Sequence, residues 1–340
     1  MKKLLNSKDT MADDMIAGFV AAWPDLVTTG TTGRIVRRRH LRTKGKDGKV
    51  ALLIGNGSGH EPIAMGFVGE GLLDANAVGD VFAAPSADAI FEAIEDVTGD
   101  AGAVLLISRH EGDVINGNGA ALMAQDEGLD VRPLLMYDDI SSAPKGKEED
   151  RRGAAGTIFI YKILGAAAER DRSIGDLMDL GVAVRDATRT LGAALRPGTS
   201  PLTGAPMFEL PDNEDAIGMG VHGERGSGRR PMGPARDLVR HMVDALMEDR
   251  PIAPGTEAVA LINGSGGTTM MELLTVYGEV ASYLKEQGVT LTSPMIGSYS
   301  TTQEMGGFSI SLLVPTPEML DLWRAPHGAP QFPPIHLQGG

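Results

Sequence analysis

Cysteine is absent from the 340-residue sequence. Its absence excludes disulfide bonds, zinc–thiolate sites and a cysteine nucleophile. Long apolar runs are missing as well, since no run approaches the ~18 residues that a membrane-spanning helix needs. The start of the sequence, MKKLLNSKDTMADD, contains no apolar segment long enough for a signal peptide. We therefore expect a cytoplasmic protein that does not associate with membranes.

Positive charge is also scarce. The sequence has 31 lysine and arginine residues against 45 aspartate and glutamate residues, which gives a net charge of −14 at pH 7. Nucleic acids and anionic membranes are bound by basic surfaces, so we expect neither as a partner. One basic stretch, RIVRRRHLRTKGKDGK at residues 34–49, is interpreted as a solvated loop or an edge strand in preference to a phosphate site.

Several common catalytic motifs are missing too. The sequence has no Walker A pattern and no H-E-x-x-H pair. A G-x-S-x-G elbow fails because Asn56, not glycine, stands two positions before Ser58. The histidines have no metal-ligand spacing. We expect no metal site and no Walker-type ATP site on this chain.

The first half of the chain alternates short apolar strands with amphipathic helices. A helix is predicted over residues 10–23, with Thr10 and Asp13 as a capping box. Val50–Ile54 is predicted to be a buried strand, followed by a glycine-rich turn at residues 55–59 and then a helix. Further strands are predicted in AVGDV, GAVLLIS and VRPLLMYDD. This alternation predicts an α/β domain with a largely parallel sheet.

The second half repeats the alternation after a long helical region, predicted over residues 156–191. The stretch RPGTSPLTGAPMFELPDNED is rich in proline and has little periodicity, so we interpret it as a connection. The stretch TEAVALINGSGGTTMMELLTVYGEVASYL then predicts a strand, a glycine turn and a helix. We expect two α/β domains, at residues 1–192 and 193–340, with largely parallel or mixed sheets flanked by helices.

The carboxyl ends of the predicted strands carry polar residues, and ligands of parallel sheets bind at those ends. His60 follows the first glycine-rich strand end, where a functional role is favoured over that of a histidine at a helix start bonding a nearby carbonyl. Asp113 follows the third strand end and is equally compatible with a site acid and a helix N-cap. Another end carries Asp138 and Asp139.

The stretch AIGMGVHGERG at residues 216–226 contains G-x-G-x-x-G together with His222. A dinucleotide fingerprint must follow a strand and open a helix, whereas we predict loop on both sides, so the dinucleotide site is disfavoured. His222 can be a functional residue or an exposed loop histidine, and the residues alone do not separate the two. Two histidines and one aspartate could supply a nucleophile and an acid–base pair.

The stretch KVALLIGNGSGHEP, together with GVHGERGSGRRP, resembles the dihydroxyacetone kinase family, specifically its substrate-binding K subunit. The resemblance implies two α/β domains, usually dimeric, and phosphorylation of a small ketose on a terminal hydroxyl. The stretches that carry it run through most of the chain: MKKLLN, KVALLIGNGSGHEP, RRGAAGTIFIYKILGAAAE, LPDNEDAIGMGVHGE, GVHGERGSGRRP, GGFSISLL and LDLWRAP.

The resemblance also implies roles for individual residues. His222 matches the histidine that binds the substrate carbonyl as a covalent hemiaminal. His60 and Asp113 match the family's acid–base pair. Gly57 and Ser58 match the glycine–serine turn that contacts the substrate.

One segment departs from the family pattern. Where the family typically has KNYTGD, this chain has SRHEGD, with Ser108, Arg109, His110 and Glu111 in place of lysine, asparagine, tyrosine and threonine. Ser108 and His110 are therefore candidate substrate-binding residues. The departure leaves two substrates open, dihydroxyacetone and a larger ketose such as erythrulose.

The resemblance further implies a partner, because in this family the nucleotide binds a separate L subunit whose aspartates hold magnesium. We expect no cofactor on this chain, and ATP or ADP with Mg²⁺ on an L subunit, with ATP or a phosphotransferase-system protein as the phosphoryl donor. One alternative is a non-catalytic ketose sensor, since related K-like proteins act as transcriptional coactivators. Another is a dinucleotide-dependent oxidoreductase.

Overall fold

The computed structural model describes residues 2–45, 47–220, 223–224 and 226–334. None of the helices within these ranges is both long and apolar enough to cross a membrane. The helices are α1 (Met11–Ala22), α2 (Ala87–Val97), α3 (Glu111–Asp126), α4 (Thr157–Glu169), α5 (Ile174–Ala187), α6 (Ala235–Asp249), α7 (Met270–Glu286) and α8 (Pro317–Arg324).

The first sheet has strand order β1-β2-β4-β3-β5-β6. The four strands from β4 to β6 in this order run parallel, and β1 and β2 pair antiparallel at one side. The strands are β1 (Val27–Thr29), β2 (Ile35–Arg38), β3 (Ala51–Ser58), β4 (Ala75–Val81), β5 (Ala103–Ser108) and β6 (Val131–Met136). Because β3 and β5 are adjacent and parallel, their carboxyl ends lie at the same edge.

The second sheet is mixed and mostly antiparallel, with the order β11-β10-β13-β7-β8-β9 and β12 also paired with β10. Only β11 and β12 run parallel to β10 among the described strands. The strands are β7 (Thr188–Arg196), β8 (Glu214–Ile217), β9 (Gly228–Pro231), β10 (Glu257–Gly264), β11 (Thr290–Leu291), β12 (Met295–Gly297) and β13 (Gly306–Leu313). The predicted fold class, α/β with parallel or mixed sheets flanked by helices, is confirmed.

One apolar core lies between the two sheets and contains helix α4. It unites Val104 of β5 and Leu261 of β10, and 12 of the 13 residues of α4 are buried. A second core, with α2 and α3, covers the other face of the first sheet, and a third, with α6 and α7, covers the second sheet. Since successive strand residues point to opposite faces, both faces of the central strands are apolar.

Strand β3 is longer than predicted. The glycine-rich stretch continues the strand to Ser58 rather than turning after Ile54, and the helix expected next is only a short 3₁₀ helix at Met65–Phe67. A Cβ on Gly55 would lie 2.6 Å from the side chain of Ile90 in α2. Gly55 therefore allows close packing of strand β3 on helix α2. Glycine is also common in turns, which is why a turn was predicted here.

The long helical region predicted at 156–191 is interrupted and ends early. Helix α5 ends at Ala187, and residues 188–191 begin strand β7. The leucine and alanine residues of β7 favour helix by propensity, but pairing with β13 and β8 decides the conformation. The predicted boundary between residues 192 and 193 falls inside this strand.

The basic stretch is neither solvated throughout nor an edge strand. Strand β2 lies between β1 and β4. Arg38 and Lys49 are buried and bind the carboxylate of Asp74, at 3.0 and 2.6 Å. The cations thus have an internal carboxylate partner, because a buried charge is costly without one.

Helix α1 forms close to its predicted bounds, but without the predicted capping box. Thr10 occupies the N-cap position and makes no side-chain cap bond. Its hydroxyl donates to Asp14 at 2.8 Å instead. A full capping box is present at α7, where Thr269 and Glu272 bond each other's backbone N–H groups.

Candidate functional site

A cavity of about 570 Å³ lies at the carboxyl ends of β3, β4 and β5. Its size is within the ~300–1,000 Å³ typical of ligand pockets. It contains the predicted site residues Gly57, His60, Ser108, His110 and Asp113. As predicted from their positions at strand ends, residues that follow β3 and β5 lie together in one pocket.

His60 is held by the second half of the chain. Its Nδ1 lies 2.7 Å from the carbonyl oxygen of Thr301, and Thr301 donates its N–H to the His60 carbonyl at 3.1 Å. A carbonyl oxygen only accepts, so Nδ1 carries the proton, and in the neutral form of the ring Nε2 is the proton acceptor. The ring also packs against Phe82, with the ring centroids 5.1 Å apart. The carbonyl partner is 241 residues away in sequence rather than nearby.

Asp113 lies in the first turn of α3 and lines the cavity. The N-cap position belongs to His110, so the N-cap interpretation of Asp113 was wrong. The partial positive charge at a helix N-terminus stabilises a carboxylate in this place. Tyr161 of α4 also lines the cavity, and burial, together with the charges of Asp138 and Asp113, raises its pKa.

Gly57 and Ser58 differ in their relation to the cavity. Gly57 lines it, and a Cβ there would lie 2.8 Å from the carbonyl oxygen of Ala83, so only glycine lets the two backbones approach. Ser58 is buried and is not part of the cavity wall. Its hydroxyl has no hydrogen-bond partner among the described residues. The substrate contact of Ser58 stays a prediction.

The divergent segment SRHEGD forms one wall of the cavity. Arg109 forms an ion pair with Asp150 at 3.3 Å, and both residues line the cavity. The Nε2 of His110 lies 3.2 Å from the carbonyl oxygen of Gly153. A Cβ on Gly153 would lie 2.5 Å from the hydroxyl of Ser108, so this glycine leaves room for the serine.

Strands, and not the predicted loops, flank the G-x-G-x-x-G stretch. Strand β8 precedes it and β9 follows it, paired antiparallel with Ile217 opposite Gly228. The dinucleotide fingerprint still fails, but because a strand follows instead of a helix. His222 itself lies outside the described residues, and its role stays a prediction.

Among the cavity residues that sequence reasoning missed are two of opposite charge, Arg152 and Glu224. They are 72 positions apart and join the site only through folding. Arg152 stands before α4 and Glu224 follows the G-x-G-x-x-G stretch, and neither belongs to a general catalytic pattern. Both occur inside stretches that carry the family resemblance, which is the only sequence signal for them.

Asp138, noted as a strand-end residue, supports the site from behind. It accepts hydrogen bonds from the N–H groups of Ala154 and Gly156, at 2.6 and 2.9 Å, and thereby fixes the start of α4. Burial raises its pKa to about 6, against the effect of hydrogen bonds from Thr190 and the two N–H groups. In the described part of the chain, no group of three or more His, Asp or Glu residues could hold a metal ion.

Comparison with known proteins agrees with this geometry. The sequence matches the Dak1 domain over residues 17–331. It is 38% identical to the dihydroxyacetone-binding subunit of the PTS-dependent dihydroxyacetone kinase 1 of Listeria innocua, over 92% of this chain and 94% of that subunit. It is 36% identical to the D-erythrulose kinase of Mycolicibacterium smegmatis, over 98% of this chain but only 56% of that kinase.

The fold comparison gives the same result. A dihydroxyacetone kinase operon co-activator, Dha-DhaQ, superposes with a TM-score of 0.89 and 31% identity, over 95% of this chain and 99% of its own. The sequence resemblance and the fold are thereby confirmed.

Proposed function

Since this chain belongs to the Dak1-domain family, we propose that it is the substrate-binding subunit of a ketose kinase. In this proposal it holds a small ketose while a nucleotide-binding L subunit supplies the phosphoryl group to a terminal hydroxyl. The reaction is phosphoryl transfer to an alcohol. The observation that carries the proposal is the meeting of His60 and Asp113 in one cavity at the ends of adjacent parallel strands.

Coverage of the relatives supports a separate nucleotide site. The chain matches 94% of the Listeria subunit, which is named for binding dihydroxyacetone. It matches 56% of the Mycolicibacterium kinase, so part of that protein lies outside the match. We place ATP, or ADP with Mg²⁺, on the L subunit and not on this chain. We also propose that the chain forms a homodimer.

Capture of the ketose is assigned to His222. A ring nitrogen attacks the carbonyl carbon, the carbonyl oxygen takes up a proton, and the ring loses its N–H proton, which gives a hemiaminal. Only a carbonyl compound can be held in this way, so the tether selects ketoses over simple polyols. Covalent attachment also fixes the terminal hydroxyl in the cavity, which removes part of the entropic barrier.

The acid–base step is assigned to His60 and Asp113. As the hydroxyl oxygen forms its bond to phosphorus, its proton passes to the Asp113 carboxylate or to Nε2 of His60. The bond of Nδ1 to the Thr301 carbonyl keeps the neutral ring in the tautomer with Nε2 unprotonated. The P–O bond to the nucleotide breaks, and the nucleotide leaves on the L subunit.

The size of the cavity supports a ketose of more than three carbons as a substrate. The cavity volume of about 570 Å³ exceeds what a triose fills, and the wall formed by Ser108 and His110 is polar. Among the relatives, kinases of both dihydroxyacetone and erythrulose occur. Both substrates therefore stay in the proposal, each in contact with Gly57, Ser108 and His110.

A second function, ketose sensing without turnover, is favoured by one observation. The co-activator Dha-DhaQ has nearly the same fold. The presence of both His60 and Asp113 in the cavity favours the kinase.

The deciding experiment is phosphorylation of dihydroxyacetone, D-erythrulose and L-erythrulose by this chain with an L subunit. Assays with ATP, and with ADP plus a phosphotransferase-system donor, cover both phosphoryl sources. We expect turnover of at least one ketose. Binding of a ketose without turnover under either condition would favour the sensor. The absence of both binding and turnover would refute the proposal.

Covalent capture is tested by soaking crystals with the preferred ketose. Continuous electron density between His222 and the ketose is expected in the wild type and its loss in His222→Ala. The matched control is His241→Ala, which removes an exposed histidine from α6 and leaves capture intact.

A further inference from the structure

One guanidinium group contacts both ends of the segment that carries His222. Arg152 donates to the Asp139 carboxylate from Nη2 and Nε, at 2.9 and 3.2 Å. Its Nη2 also donates to the carbonyl of Gly218 at 3.3 Å, and its Nη1 lies 3.9 Å from Oε2 of Glu224. Arg152 therefore joins the first sheet's loops to residues 218 and 224.

Neighbouring groups reinforce the same segment. The hydroxyl of Ser141 donates to the Gly218 carbonyl at 3.1 Å and also binds Asp139. The other carboxylate oxygen of Glu224 lies 4.0 Å from Nδ1 of His110. The side chains of Arg152 and Asp139 are only 16% and 11% exposed, so water screens their interaction weakly.

Gly220 is the position that permits this arrangement. A Cβ at this residue would overlap the carboxylate of Glu224 and the guanidinium of Arg152. The backbone here closes on itself, since Gly220 donates its N–H to the Glu224 carbonyl at 2.9 Å. A glycine therefore lets the two charged groups meet beside the backbone.

We propose that Arg152 is a positioning residue that, through Asp139 and Glu224, fixes residues 218–220 and 223–224, which flank His222 in the sequence. The inference rests on the proposed function for the role of His222. A planar guanidinium suits the task because it binds several acceptors in fixed directions, whereas lysine offers a single charged point. Misplacement of a reacting group by about 1 Å can cost about 100-fold in rate, so the loop must be held firmly.

The kinetic test compares Arg152→Met with Arg132→Met, whose arginine binds Asp130 outside the cavity. We expect Arg152→Met to raise the KM for the ketose and to lower kcat/KM by about 10- to 100-fold, with the KM for the L subunit unchanged. Arg152→Lys should recover less than a third of the loss. A fall in kcat alone, with both KM values unchanged, would indicate a smaller folded fraction and would overturn the positioning role.

A double-mutant cycle with Glu224→Gln tests whether the two residues act together. If Arg152 acts through Glu224, the double variant is no worse than Arg152→Met alone. Gly220→Ala should also raise the ketose KM, while Gly228→Ala, where a Cβ meets no atom within 4 Å, should not. The inference would be contradicted if the losses of kcat/KM from Arg152→Met and Glu224→Gln multiplied in the double variant. It would also be contradicted if the two glycine variants had the same ketose KM.

Hydrogen exchange separates this inference from the proposed kinase function, because it needs no turnover. Amide exchange across residues 216–226 should become at least 10-fold faster in Arg152→Met and stay unchanged in Arg132→Met. Unchanged exchange in both variants would refute the positioning role of Arg152, whether or not the protein is a kinase. Absence of turnover by the wild type would refute the kinase function and leave the exchange result standing.

Discussion

The two sheets differ in what they contribute to the site. The first is parallel at its centre, so the ends of β3 and β5 deliver His60 and Asp113 to one edge. The second is mostly antiparallel, and it contributes a backbone carbonyl at Thr301 and the hairpin loop with Glu224. Parallel strands gather side chains at one edge, and the antiparallel sheet supplies the groups that orient them.

The largest expected effect comes from removing the acid of the first sheet. Asp113→Asn keeps the shape but cannot accept the hydroxyl proton, so we expect kcat to fall by about 100-fold or more. Asp237→Asn removes a first-turn acid from α6 on the second sheet and should change kcat less than twofold. Steady-state kinetics with the preferred ketose and the L subunit measures both. Equal losses of kcat in the two variants would contradict the view that the acid of the site comes from the first sheet's side of the molecule.

Lys162 tests the region between the sheets. It is fully buried in α4, its Nζ donates to the Leu322 carbonyl at 2.9 Å, and burial lowers its pKa to about 7, helped by Arg170 and opposed by Asp321. Between about pH 7 and the ordinary pKa of 10.5, the unfolded state binds a proton that the folded state lacks. The free energy of unfolding should therefore rise with pH across this window, by on the order of a few kcal/mol.

Lys162→Met should remove that rise, measured by denaturant unfolding at several pH values from 7 to 10. The control is Lys285→Met, an exposed lysine at the end of α7, which should keep the rise of the wild type. Parallel curves for Lys162→Met and the wild type would mean that Lys162 stays protonated in the fold.

The same small change should have opposite signs in two helices. In α4, a Cβ on Gly165 would overlap the backbone of Leu72, so Gly165→Ala should lower the free energy of unfolding by about 1–3 kcal/mol. In α7, a Cβ on Gly278 meets no atom within 4 Å, so Gly278→Ala should raise it by about 0.5–1 kcal/mol. Denaturant titration measures both, and a common sign would contradict the packing difference.

The smallest expected effect is at the helix starts. Thr269→Ala removes the capping box of α7 and should cost about 1 kcal/mol, whereas Thr10→Ala in α1 removes no backbone cap and should cost less than about half of that. Thermal unfolding of the two variants in parallel checks this. Equal costs would show that the hydroxyl of Thr10 contributes as much through Asp14.

Sequence patterns were sufficient to predict the strand ends of the first sheet. They were insufficient to predict the hairpin of the second sheet that contributes to the same site. The apolar run at Val50–Ile54 located β3, and with it His60, because buried parallel strands are apolar on both faces. The hairpin of β8 and β9 was missed because its strands are short and mostly polar, and they are stabilised by pairing of β8 with β7 and of β9 with β8.

Arg152 and Glu224 illustrate why the rest could not be foreseen. Their proximity depends on the hairpin loop reaching across to the start of α4, a contact between distant parts of the chain. Local propensity carries no information about such contacts. The family resemblance gave roles to residues but did not reveal which side chains would hold them in place.

The burial of α4 between the sheets has a thermodynamic consequence. If one sheet unfolded, the apolar face of the other would be exposed to water, because Val104 and Leu261 belong to one core. Because the two sheets share this core, we expect them to unfold in one cooperative transition. A ketose bound at the ends of β3 and β5 would then stabilise the second sheet as much as the first, since ligand binding is linked to the whole cooperative unit.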